Sequence, residues 1–207
     1  MINRRQFSVV VAGAPWAAAW ANPYRDGVDY QTLKKPIPMT SPAGVTEIHE
    51  FFSYTCIHCY RMEADFQAWR KKLPTGKFLV QQVPVRFNAA FEPLQKTFYA
   101  LEAMKKLEQV HTEIFYALHV ERTSFTLRDA GNLAAITRWL VAQGINEKEF
   151  TAAVNSPAVA AKVARANELT DRYMIEGTPA IGVAGKYLVP GQGVKTMQVA
   201  NALLGLK

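Results

Sequence analysis

The sequence predicts an α/β fold in which a block of helices interrupts a core of strands. Three observations predict it. Val45 to Ser53 is a β-branched and aromatic run with little alternation of polarity, the composition of an interior strand buried on both faces. From Cys56 the period changes to that of a helix, with Met62, Phe66, Trp69 and Leu73 at spacings of four, three and four. Residues 90–156 then carry helical periodicity throughout, before strand-like composition returns in "GTPAIGVAGKYLVPG".

The elements follow in order. "MINRR" is a basic start, an uncharged apolar run begins at Phe7, and Ala19-Trp20-Ala21 is a small-x-small cleavage site, so residues 1–21 read as a signal peptide. Arg4-Arg5-Gln6-Phe7 fits a twin-arginine signal as well as an ordinary Sec start. Either route leads out of the cytoplasm, where a disulfide persists. Residues 22–44 are rich in Pro, Gly and polar side chains and read as an extended arm. After the first strand and helix, Lys77 to Phe87 is a second strand, and Pro84 within it implies a sheet edge or an interrupted ladder.

In the helical block, Leu94, Phe98, Leu101 and Met104 line one face, and Ile114, Phe115 and Leu118 another. "TLRDAGNLAAITRWLVAQG" ends on Gly144 as a C-cap, and Asn146 with Glu149 resembles a capping box. Ser156-Pro157 supplies an N-cap and a proline at the first helical position of an Ala-rich helix reaching about Met174. A hairpin turning at Ala184-Gly185 and a terminal helix from about Val194 complete the chain.

Composition narrows the function classes. The 207 residues are 49% apolar and 20% charged, enough to bury a core and unlike a disordered chain. The formal charge is +7, and loss of residues 1–21 removes Arg4 and Arg5 but no acid, leaving 22 bases against 17 acids. This modest excess contains no Lys/Arg run longer than three, Arg70-Lys71-Lys72, so no nucleic-acid partner is expected.

The chemistry concentrates in "EFFSYTCIHCYRME", which holds both cysteines of the chain. A structural zinc site needs four ligands, and His49, His111 and His119 offer no second pair at ligand spacing. Covalent haem attachment needs a histidine directly after the second cysteine, where Tyr60 stands. A purely structural bridge between Cys56 and Cys59 would close so short a loop that it removes little entropy from the unfolded chain. Redox chemistry fits better. A strand feeding a helix here puts Cys56 at the helix N-terminus and Cys59 one turn inside. The free N–H groups and the helix dipole stabilise a thiolate at Cys56 by about 1 to 2 kcal/mol, and His58 is expected to lower the pKa further. A low pKa stabilises the dithiol and makes the disulfide a stronger oxidant. His111 and His119 read as ordinary surface or core residues, and Met62 and Trp69 as core.

Four stretches, "YRDGVDYQTLKKP", "EFFSYTCIHCYRME", "KKLPTG" and "EGTPAIGVAGKY", together resemble the DsbA family of periplasmic thiol:disulfide oxidoreductases, in the thioredoxin superfamily. The resemblance implies a thioredoxin-like fold with an inserted helical domain: residues 22–88 and 167–207 as the two parts of the thioredoxin-like domain, 89–166 as the insert. It implies a cis Pro179 facing the cysteines, with the backbone of Thr178 free to pair with a substrate peptide. It places a buried acid, Glu50, under the cysteines, on a strand face shared with Ile48 and Phe52. Two departures stand out: Ile57 lies where the family often has proline, and Gln82 where it commonly has a lysine beside the acid. Without a cationic partner, Glu50 is expected to have a raised pKa.

The implied activity is oxidation of newly translocated proteins with free thiols, through a mixed disulfide at Cys56. The implied redox centre is the protein's own disulfide, with no cofactor or metal. The implied partner is a DsbB-like membrane protein that reoxidises it, and the implied state is a periplasmic monomer. A disulfide reductase or isomerase is the alternative within this chemistry; a metal carrier or peptide-binding chaperone lies outside it.

Overall fold

The computed structural model describes residues 22–206, so the signal peptide expected over residues 1–21 lies outside the described residues. The arm that follows is more ordered than its composition implies. Gln31–Thr32 forms a short strand, β1, and Leu33 and Ile37 are buried, their N–H groups bonded to the carbonyls of Lys186 and Gly185. Lys195 pairs with Asp29 at 2.6 Å and ties the arm to the C-terminal helix. A two-residue strand among prolines and glycines carries no periodicity, which is why sequence patterning passes over it.

β2, Thr46–Phe52, forms where the β-branched and aromatic residues concentrate, and only its first residue is not fully buried. α1, Ile57–Lys72, returns the chain to β3, Phe78–Pro84, which pairs parallel to β2. The sheet order is β1-β5-β4-β2-β3, with every pair except β2–β3 antiparallel. β3 is thus an edge strand, which accommodates the missing N–H of Pro84.

The inserted helices are α2 (Glu92–Ala103), α3 (Leu107–Tyr116, continued by a π-helical turn over Ala117–Glu121), α4 (Leu133–Ala142) and α5 (Glu147–Val154). Their expected faces are buried: Leu94, Phe98 and Leu101 on α2, and Ile114, Phe115 and Leu118 around α3. Asn146 caps α5 by accepting from the N–H of Glu149, and Ser156 caps α6, Pro157–Arg172, by accepting from that of Val159. α6 is continuous through residue 166, so the boundary expected there falls within a helix.

β4, Ala180–Val183, and β5, Tyr187–Pro190, form the expected hairpin, and α7 covers Val194–Leu203. Ala184 and Gly185 both take positive φ in the turn, the geometry that matches the twist of a tight hairpin. α1 and α7 share a core with one sheet face through Ile48, Met62, Phe66, Ile181 and Met197. Trp69 Nε1 donates to Asn201 Oδ1 at 2.7 Å and joins the two helices. The C-terminal end of α6 lies against the opposite face, where Tyr173 packs on His49 and Phe51.

Candidate functional site

The change from β2 to α1 sets the site. Cys56 is the N-cap of α1, in extended conformation, and is partly exposed, while Cys59 lies in the first turn and is buried. Both are free thiols. Across from them the Thr178–Pro179 bond is cis, as the resemblance implied, and the Cys56 thiol donates to the carbonyl oxygen of Thr178 at 3.3 Å. Distant stretches of sequence thus meet at one sulfur. Gly191 supports this arrangement and escaped sequence reasoning: a Cβ at that position would come within 2.5 Å of the Pro179 carbonyl oxygen.

The two thiols are driven apart in acidity. A hydrogen bond from Cys59 does most to lower the Cys56 pKa, burial opposes it, and the side chain of Thr178 lowers it again; the net value is about 5. The backbone N–H groups of Cys59 and His58 face the Cys56 sulfur without closing a tight cap, and lower its pKa least. His58 faces the sulfur with its backbone N–H, and its side chain is exposed. Ile57, the first residue of α1, is partly exposed beside it. Burial, then the hydrogen bond and charge of Cys56, push the Cys59 thiol far above the usual range.

Beneath α1, Glu50 is completely buried. Its register partner on β3 is Gln82, whose Nε2 donates to Glu50 Oε2 at 2.8 Å. Glu50 Oε1 has no hydrogen-bond partner among the described residues. Burial first, and the nearby charge of Glu63 second, raise the Glu50 pKa well above the carboxylate range, the direction expected when no cation replaces the lysine.

The site extends beyond the residues that sequence reasoning assembled. Glu63 is a second buried acid, one helical turn beyond Cys59. It lies 3.1 Å from His111 Nε2, and His111 Nδ1 is 2.6 Å from the Tyr54 hydroxyl. His119 Nε2 lies 2.8 Å from the Tyr54 carbonyl oxygen, and its ring stacks on Tyr60. The two histidines read as ordinary residues are buried and grip the loop that leads to Cys56. Glu63 was findable, since positions i and i+4 share a helix face. Nothing local marked His111, because its partners are far away in sequence.

Among the described residues no group of three or more His, Cys, Asp or Glu is placed to hold a metal ion. What the geometry holds ready is a pair of unlike thiols at a helix start.

Comparisons with known proteins agree with that chemistry. Residues 80–202 match the family model of the DSBA-like thioredoxin domain. The thiol:disulfide interchange protein DsbA of Bordetella parapertussis is 34% identical over 186 residues, which cover 88% of this chain and 85% of that one. Its counterpart in Pseudomonas aeruginosa strain PAO1 is 31% identical over 191 residues, covering 90% and 87%. A crystal structure of Pseudomonas aeruginosa DsbA aligns with a TM-score of 0.79 at 27% identity, covering 90% of this chain and 93% of that chain. The oxidoreductase DsbA of Xylella fastidiosa aligns with a TM-score of 0.79 at 25% identity, covering 88% and 96%. The chain is a thioredoxin-like thiol:disulfide oxidoreductase and belongs to the DsbA family.

Proposed function

We propose that the protein is an exported dithiol oxidase, which donates a Cys56–Cys59 disulfide to newly translocated proteins and works as a periplasmic monomer. The observation that carries this reading is the asymmetry of the cysteines: Cys56 is partly exposed with a pKa held down to about 5, and Cys59 is buried with its pKa pushed up.

In the oxidised protein a substrate thiolate attacks Cys56 Sγ. A bond forms between the two sulfurs, the Cys56–Cys59 bond breaks, and Cys59 leaves with the electron pair and takes up a proton. A second substrate thiolate then attacks the substrate sulfur of the mixed disulfide and expels Cys56 as a thiolate. The substrate loses two electrons and the protein gains them. A thiol of low pKa leaves readily, which favours release of the oxidised substrate.

Thr178, beside Pro179, presents its backbone to an extended substrate segment. Ile57 and the exposed His58 border the attacked sulfur and tune access to it. Glu50, buried and protonated, supplies the proton that Cys59 takes up. The redox centre is the protein's own disulfide and needs no bound cofactor. A DsbB-like membrane protein takes the two electrons back and restores the disulfide. Among the described residues no helix is long and apolar enough to cross a membrane.

Equilibrating the purified protein with glutathione redox buffers tests the direction of the chemistry. The expected potential is well above that of thioredoxin; a value near or below thioredoxin's would make this protein a disulfide reductase.

A further inference from the structure

We infer that His111, contributed by the inserted helical block, is a positioning residue of the redox site: by donating to Glu63 it keeps the negative charge of the buried acid pair on Glu63 and the pair's proton on Glu50. The inference rests on the thiol:disulfide reading and adds to it a residue that decides where the proton for Cys59 is stored.

A count of hydrogens carries it. Burial first and the charge of Glu63 second hold the Tyr54 hydroxyl far above the usual phenol pKa, so it keeps its one hydrogen. Its side-chain neighbour is Nδ1 of His111, at 2.6 Å. When that hydrogen is given to Nδ1, a neutral imidazole carries its own hydrogen on Nε2. Nε2 faces Glu63 Oε1 at 3.1 Å. Gln67 Nε2 donates to the same oxygen at 2.8 Å. Glu63 therefore accepts one hydrogen bond from Gln67 and has the His111 Nε2 within donating distance of the same oxygen, and N–H groups turned to the charged form of a carboxyl favour that form.

Glu50 is less well provided. It accepts one donor, Gln82 Nε2 on Oε2, and its Oε1 has no partner among the described residues. Two carboxylates sharing a buried site do not both ionise, and the one with fewer donors takes the proton. The proton is then held on the acid of β2, on an atom with no competing acceptor.

The surroundings leave this arrangement in control. Gln82 Nε2, 3.4 Å from His111 Nε2, makes its shorter bond to Glu50. The rings of Phe52, Phe98 and Phe115 enclose the imidazole and do not titrate. A groove opens beside it between α1 and α3, with Arg61, Arg70 and Lys71 on one wall and Glu102, Lys105 and Glu108 on the other, all exposed. Water screens those charges, and Arg70, the one that reaches Glu50, lowers its pKa less than burial and Glu63 raise it.

Infrared spectroscopy of the reduced protein at pH 7 reads the proton directly, through the stretch of a protonated carboxyl. The wild-type protein should show one such band, absent from Glu50→Gln. The double variant Glu50→Gln/His111→Leu should regain a band, now from Glu63, whereas Glu50→Gln/His111→Gln should not, because the amide still donates. Disulfide transfer to a model dithiol should slow about tenfold in His111→Leu and far less in His111→Gln. Should His111→Leu fail to fold, Glu63→Gln tests the same point: it should lower the pH at which the Glu50 band disappears.

A wild-type band that survives Glu50→Gln overturns the inference. So does a double variant with leucine that shows no band, or a Glu50 titration unmoved by Glu63→Gln. In each case intact exchange with glutathione leaves the oxidoreductase reading standing. A wild-type protein that exchanges no disulfide overturns that reading itself.

Discussion

β2 carries a buried acid on each face, Glu47 beside His49 and Glu50 linked through Gln82 to His111 and Tyr54, and the two clusters behave in opposite ways. On one face Glu47 accepts hydrogen bonds from the Thr40 hydroxyl and from the N–H groups of Thr40 and Ser41, with His49 3.5 Å away and Tyr173 beyond it. Burial pushes the Glu47 pKa up, but those bonds outweigh it and hold the carboxyl below its ordinary value. On the other face Glu50 has one donor, a neighbouring acid and an unpartnered oxygen, and its pKa rises. The residue types are nearly the same. What separates a structural cluster from a chemically poised one is how fully the buried carboxyl is satisfied.

The largest break in this comparison should come from Glu47→Ala. It leaves the donors of Thr40 and Ser41 without their acceptor and should cost about 2–3 kcal/mol in chemical denaturation, while the thiolate titration of Cys56 stays in place. The stability that wild-type Glu47 supplies should be full above about pH 4.3 and lost as pH falls through its lower folded value. A Glu47→Ala protein as stable as wild type would remove the structural half of the contrast.

Glu50→Gln should have the opposite sign. A carboxyl whose folded pKa is raised makes the native state lose stability as pH climbs from the unfolded value of about 4.3 towards the folded one. Replacing it removes that loss, so the variant should be more stable than wild type at pH 7, with the gap closing at pH 4. Disulfide transfer should nonetheless slow, because the stored proton is gone. Equal rates and equal pH–stability curves would count against a poised acid.

The smallest effect belongs to His58→Ala. Lowering of the Cys56 pKa comes first from Cys59, and His58 contributes through its backbone, which alanine keeps. Removal of the imidazole should move the thiolate titration less than Cys59→Ala does. A larger shift from His58→Ala would return the tuning role to the imidazole.

Much of this molecule was legible in the sequence, for reasons that also mark the limit. β2, α1, the hairpin and the capped helices α5 and α6 declare themselves through local composition and period. The approach of Thr178 to Cys56 became predictable through family resemblance, not through any pattern near either residue. β1 is two residues long and follows no period. The Glu63–His111–Tyr54 chain is assembled from α1, α3 and the loop after β2, so its meaning lies in tertiary placement. His111 looked ordinary because a buried histidine and a positioning histidine have the same sequence surroundings. Gln82 departs from the family pattern, and its bond to Glu50 shows what takes the place of a charge there: a neutral donor, beside which the pKa of the acid stays raised.

The central claim, that the fold makes one cysteine acidic and the other inert, is tested most directly by following thiolate absorbance of the reduced protein against pH. One thiolate should appear with a midpoint of about 5, and no second one should appear below pH 9. The reduced protein should gain stability over the same rise, from that midpoint to the unfolded thiol value of about 8.5, and lose it as pH falls back through the midpoint. A first midpoint in the ordinary thiol range of about 8.5, or two thiolates titrating together, would contradict the account.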